Sequence, residues 1–225
     1  MDLVRSLGGA AAPAVRVFAE LERRYAEPQR HYHTLEHVEH VLDVLDLLDG
    51  DEAADPHPGR AVDPASAGRT WGLGAAVDPG VRRLAAWWHD AVYDPTRADN
   101  EEASARLVEE HGADLGVSDA VQAETCRLIR LTAGHQVDPA DETGARFVDA
   151  DLAILGADAA GYDRYARGVR AEYGALDDAT FRAGRAAFLD GLLTRPRLFH
   201  TAVAHARFDA AARANLARER AGLEP

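Results

Sequence analysis

The spacing of apolar residues is the feature that most narrows what this chain can fold into. Val15, Phe18, Leu21 and Tyr25 recur at steps of three and four, and Leu35, Val38, Leu42, Leu45 and Leu48 do so again on the next segment. Each set marks one face of an amphipathic helix. Gly112, Gly134, Gly156 and Gly174 each close a periodic run, where a left-handed residue ends a helix, and Asp99 followed by Glu102 resembles a capping box. Alternating β-branched or aromatic runs bounded by tight Asn-Gly or Asp-Gly turns are missing. The expected fold class is therefore all-α, built from consecutive helices.

With 225 residues, 47% of them hydrophobic and 28% charged, the chain has the size and composition of one folded domain with a full core. A single domain over 1–225 is expected. The stretch from Gly50 to Gly80 breaks the helical pattern with Pro56, Pro58, Pro64 and Pro79. It reads as a Gly/Pro-rich loop over about 50–80, either an inert insertion or a flap over a site.

All 25 basic residues other than histidine are arginine, so the chain contains no lysine. A Walker-type phosphate loop, Schiff-base chemistry and a Ser-Lys dyad are thereby excluded. The formal net charge of -13 argues against duplex nucleic acid as a partner, because affinity for it comes mainly from basic surface that neutralises phosphates. A small anionic substrate remains compatible if a cation and a few arginines concentrate positive potential locally. Cys126 is the single cysteine, so no intrachain disulfide forms and a reducing cytoplasm is the expected location. No targeting signal is legible at the start of the chain, and no apolar run approaches the roughly 20 residues of a membrane span.

Three of the ten histidines fall in Arg30-His31-Tyr32-His33-Thr34-Leu35-Glu36-His37. A helix beginning near Thr34 places His33 at its mouth and His37 one turn along the same side. Trp87-Trp88-His89-Asp90 then ends a bulky apolar run in two adjacent metal-capable side chains. Helical neighbours point roughly 100° apart, so an ion shared by both must lie between their directions. Phe147-Val148-Asp149-Ala150-Asp151-Leu152 sets two acids on an otherwise apolar helix, where a carboxylate needs a cation or another partner. Two imidazoles with carboxylates make a mixed N/O shell that suits a divalent ion with open positions for water, such as Mn, Fe, Mg, Zn, Co or Ni. Asp149 is expected to support the site or face solvent rather than ligate.

The order His37, His89-Asp90, Asp151 resembles the H…HD…D signature of the HD superfamily. The surrounding sequence is similar to one uncharacterised bacterial branch of metal-dependent HD phosphohydrolases. The likeness also takes in His89-Asp90-Ala91-Val92-Tyr93-Asp94, Asp99-Asn100-Glu101 with Ser104, and Asp149-Ala150-Asp151-Leu152 with Ile154-Leu155-Gly156. It continues through Tyr162, Tyr165, Arg170, Glu172 and Tyr173 to Arg213, Asn215 and Leu216, sparing the Gly50 to Gly80 stretch. The resemblance implies an HD-type helical bundle with His37, His89, Asp90 and Asp151 as ligands to one or two divalent ions. In related phosphodiesterases the histidine four places before the first ligand protonates the leaving group, which here is His33. Related alarmone hydrolases carry an acidic pair two residues after the His-Asp; Tyr93-Asp94 stands there, so Asp94 and Glu101 are both candidates for the general base.

The expected activity is hydrolysis of a phosphate ester or anhydride, with a nucleotide or nucleotide-like molecule as substrate. A metal-bound water is the nucleophile, and Arg30, His135 and Arg170 are candidate contacts for phosphate oxygens. Two other classes share the same ligand order. One is an HD-fold diiron oxygenase, which needs Glu36, Asp149 or His135 as further ligands, and the other is a non-catalytic nucleotide sensor.

Overall fold

A computed structural model describes residues 11–54 and 79–223, and nearly all of the expected 50–80 loop lies outside them. The flanks that fall inside are helical. The helices are α1 (Ala11–Tyr25), α2 (Leu35–Ala54), α3 (Pro79–Trp88), α4 (Asn100–Leu115) and α5 (Asp119–Leu131). They continue with α6 (Glu142–Leu152), a 3₁₀ turn at Ala153–Gly156, α7 (Ala159–Glu172), α8 (Asp178–Leu193) and α9 (Ala202–Gly222). No strand occurs among the described residues, and the chain is all-α. α2 runs through Gly50 because a glycine inside a helix only weakens it, and Pro79 opens α3 at a first position, where no backbone N–H is needed.

Local chemistry sets the ends of these helices. The side chains of Ser118, Asp141, Asp158, Asp177 and Thr201 accept hydrogen bonds from backbone N–H groups in the first turns of α5 to α9 respectively. The expected box at Asp99 does not form, because Arg97 takes the Asp99 carboxylate at 2.9 and 3.0 Å while Glu102 pairs with Arg130 and Arg106. Gly112 lies inside α4, and the left-handed residue that ends this helix is Gly116 at φ 67°. After α5 the left-handed position is taken by His135 at φ 53°, not by Gly134. Gly156 and Gly174 end their runs without a positive φ.

Packing then fixes the segments that carry the candidate ligands. α2 packs on α3 and α6, and α3 also meets α6, so the three are mutual neighbours. Trp88, Tyr25, Tyr162, Phe147 and Phe199 are the largest fully buried side chains and belong to one continuous core. On α1 the buried stripe is Ala14, Val17, Leu21 and Tyr25, whereas Val15 is 55% exposed. That stripe has a mean step of about 3.7 residues against about 3.3 for the set beginning at Val15, closer to the 3.6 of an α-helix. No described helix is long and apolar enough to cross a membrane.

Candidate metal centre and adjoining cavity

His37 sits in the first turn of α2, His89 and Asp90 immediately follow α3, and Asp151 lies in the last turn of α6. Their donor atoms converge. His37 Nε2 is 3.0 Å from His89 Nε2, 3.2 Å from Asp151 Oδ1 and 3.5 Å from Asp90 Oδ2. His89 Nε2 is 3.0 Å from Asp90 Oδ2 and 3.6 Å from Asp151 Oδ1. Ligands held at roughly 2.1 Å from a divalent cation stand about 3.0 Å apart at an octahedral edge and about 3.4 Å at a tetrahedral one. The observed spacings fall on and beside those values. The ligand atoms of His37, His89 and Asp151 all lie within 4.8 Å of one another, a grouping able to hold a metal ion.

The partners behind the imidazoles fit this use. His89 Nδ1 lies 2.9 Å from the carbonyl oxygen of Ala86, which can only accept, so neutral His89 presents a bare Nε2 to the centre. His37 Nδ1 is 3.0 Å from the Tyr32 hydroxyl, which can accept its proton and leave His37 Nε2 bare as well. Two neutral imidazoles and two carboxylates carry a charge that a divalent cation balances. Burial opposes a charge on Asp90 and Asp151, and the surrounding imidazoles outweigh it, holding both carboxyls below the usual range. Burial likewise opposes the imidazolium of His89, yet Asp90 and Asp151 raise it to about 9; His37 is held low by burial.

His33 stands beside this group. Its Nδ1 is 2.7 Å from Glu172 Oε2 at the end of α7, and the other oxygen of Glu172 accepts the backbone N–H groups of His31, Tyr32 and His33 at 2.8 to 2.9 Å. α7 can come this close because Gly168 has no Cβ; one added there would lie 3.0 Å from Tyr32 Cβ and 3.1 Å from the His31 carbonyl oxygen. The His33 ring stacks on Tyr93 with centroids 4.0 Å apart. Burial works against a charged His33, and Asp90 with Glu172 reverses that effect and raises it. Glu172 is held down at about 2 despite its burial, chiefly by its bond to His33.

A cavity of about 580 Å³ opens onto His37, Asp90 and Asp151, with His89 buried behind them, and runs along α8. Glu101 and His135 line it, and His135 Nε2 is 2.9 Å from Asp151 Oδ2. Asp94 does not line it; its carboxylate accepts the Thr96 N–H and hydroxyl and organises the turn before α4. Of the two candidate general bases, Glu101 alone faces the cavity. The arginine expectations do not hold. Arg30 is buried and donates to the carbonyl oxygens of His33, Asp90 and Ala91, while Arg170 is spent on Tyr173, Leu176 and Asp178. Neither offers a guanidinium to the cavity, whose arginines are Arg185 and Arg195.

Asp149 is fully buried and serves the fold. It accepts the N–H groups of His200 and Thr201 and the Thr201 hydroxyl, each at 2.7 Å, and burial raises its carboxyl. Glu36 is exposed, so of the three candidate further ligands for a second iron, Glu36, Asp149 or His135, His135 is the one that approaches Asp151. Sequence reasoning did not assign Glu172 its hold on His33 or bring in Tyr32, Arg185 and Arg195. Glu172 is within reach as the one acid that continues the Tyr162, Tyr165, Val169 stripe of α7. Comparison of the chain with protein-family models, with curated proteins and with solved structures finds no match.

Proposed function

We propose that this protein is a metal-dependent phosphohydrolase acting on a small phosphorylated molecule, of the HD type that its ligand order resembles. The observation that carries the reading is the convergence of two imidazole nitrogens and two carboxylates from three separate segments at one end of a cavity that His37, Asp90 and Asp151 line. His37, His89, Asp90 and Asp151 would hold one divalent ion, with His135 beside Asp151 as a further donor. Such an ion supplies a Lewis acid for a phosphoryl oxygen and lowers the pKa of bound water toward neutrality. His33 donates a proton from Nε2 to the leaving oxygen, because its Nδ1 proton is committed to Glu172, which orients the ring and favours its charged form. Glu101 is the carboxylate placed to accept a proton from the attacking water. Arg195 on the cavity wall provides positive charge for an anionic substrate. A cytoplasmic location agrees with this chemistry and with the buried thiol of Cys126.

The test is to purify the untreated protein, measure its metal content, then reload it with Mn or Ni and screen phosphate release from nucleotides and simpler esters. A filled site with no turnover under any metal overturns the proposal. An iron form prepared without oxygen that changes its absorption on exposure to oxygen would instead favour the diiron oxygenase.

A further inference from the structure

Apart from Val15, two large apolar side chains are strongly exposed among the described residues, Leu176 at 38% and Phe188 at 44%, and both line the cavity. Exposed apolar groups that gather in one concave wall mark a binding surface more than scattered ones do. Phe181, Gly184, Phe188 and Leu192 follow one another at steps of three and four along α8, so one stripe of that helix forms the wall. At Gly184 a Cβ would meet nothing within 4 Å, so the helix backbone itself is open to a ligand there.

The charges of this arm are already answered within the protein. Arg185 pairs with Glu219 at 2.7 and 3.0 Å and donates to the Tyr165 hydroxyl, and Arg170, which lies over the Phe181 ring, pairs with Asp178. Arg195 differs. It forms no ion pair with any described residue, and it donates to the carbonyl oxygen of Gly134, beside His135 and so toward the ligand end. The cavity thus has a polar end, lined by carboxylates, imidazoles and Arg195, and an apolar, aromatic end.

We infer that the arm along α8 is a binding site for an uncharged aromatic ring, carried by the leaving group of a phosphate ester whose phosphate lies at the His37–His89–Asp151 end. This rests on the phosphohydrolase reading for the second half of that statement alone. A flat ring fits between Phe181 and Phe188 across Gly184. A polyol would leave its hydroxyls against Leu176, Phe181 and Phe188 without partners, at the cost of their desolvation.

The experiment reads binding of 1-naphthyl phosphate to the intact protein by the probe's fluorescence, with glycerol 2-phosphate as competitor. The wild-type protein is expected to bind the naphthyl ester at least ten-fold more tightly than the glycerol ester. Gly184→Leu, which fills the arm with a better helix former, is expected to weaken naphthyl binding at least ten-fold with metal content retained. Leu176→Asp, at an exposed position, gives the same result by an independent route. Gly191→Leu, on the same helix but off the cavity wall and also with open space before it, binds as the wild type does. Equal affinity for the two esters, or unchanged naphthyl binding in both Gly184→Leu and Leu176→Asp, overturns the inference. Tight binding that α8 variants abolish, with no phosphate released under any metal, leaves the aromatic site standing and removes the hydrolase reading.

Discussion

Replacing Glu172 by glutamine removes one charge and almost no volume from a carboxylate whose side chain is fully buried. Its carboxyl is held at about 2 against an ordinary 4.5. A depression of that size corresponds to about 3 kcal/mol of stability at pH 7. Because the folded pKa is the lower one, this contribution is complete above the unfolded value and is lost as pH falls toward 2; by pH 3 less than about half remains. Glutamine keeps an oxygen for the three backbone N–H groups but turns a neutral amide toward His33. Urea unfolding of the wild type and Glu172→Gln at pH 7 and at pH 3 should therefore show a gap near 3 kcal/mol that narrows on acidification. In the same variant the His33 pKa falls, so the alkaline limb of a pH–rate profile, set by the acid that must be protonated, moves to lower pH. A stability gap of equal size at both pH values would refute this reasoning, since the loss would then come from packing and not from charge.

His33→Ala should lower phosphate release by about 10²–10⁴-fold while metal content and substrate binding persist; a variant that loses metal instead would place His33 among the ligands. Asp151→Asn should release metal readily, with a loss of affinity beyond the roughly 10–100-fold expected for Tyr32→Phe, which removes only the partner of His37. Metal titration monitored by calorimetry orders the two, and the reverse order would contradict the assignment. Asp149→Ala should cost about 3 kcal/mol in urea unfolding, because it strips partners from two partly buried N–H groups and the Thr201 hydroxyl at the start of α9. Metal content per folded molecule should stay as in the wild type; its loss would mean that Asp149 ligates.

The helical fold was legible because apolar periodicity and capping side chains act locally, over steps of three and four residues. Its errors came where two local patterns compete. Val15 and Ala14 both begin a plausible stripe ending in Leu21 and Tyr25, and only the helical period separates them. Gly112 and Gly116 are both glycines near the end of α4, and only the second is left-handed. The gathering of His37, His89-Asp90 and Asp151 is legible because His89-Asp90 and Asp151 interrupt apolar runs with side chains that need polar partners. The places of Arg30 and Arg170 are not legible for a different reason: a guanidinium's partners depend on which carbonyl oxygens reach it in space. Two of those for Arg30 lie 60 and 61 residues away, and no spacing announces them. The hold of Glu172 on His33 spans 139 residues and is hidden in the same way.

Arg30 also has a mechanical consequence. One planar group joins the turn before α2 to the chain leaving α3, with bonds of 3.1, 2.7 and 3.2 Å to three main-chain oxygens. Lysine, with a single rotatable ammonium, could not rivet both strands of that crossing at once. Breathing between the segments that carry His33 and Asp90 must rupture the bonds to Asp90 and Ala91 together, while the bond to His33 holds the guanidinium in place, so that end of the cavity keeps its dimensions. Whatever accommodation a bulkier guest demands falls to the opposite bank, where Leu176 and Phe188 stand with free space before them.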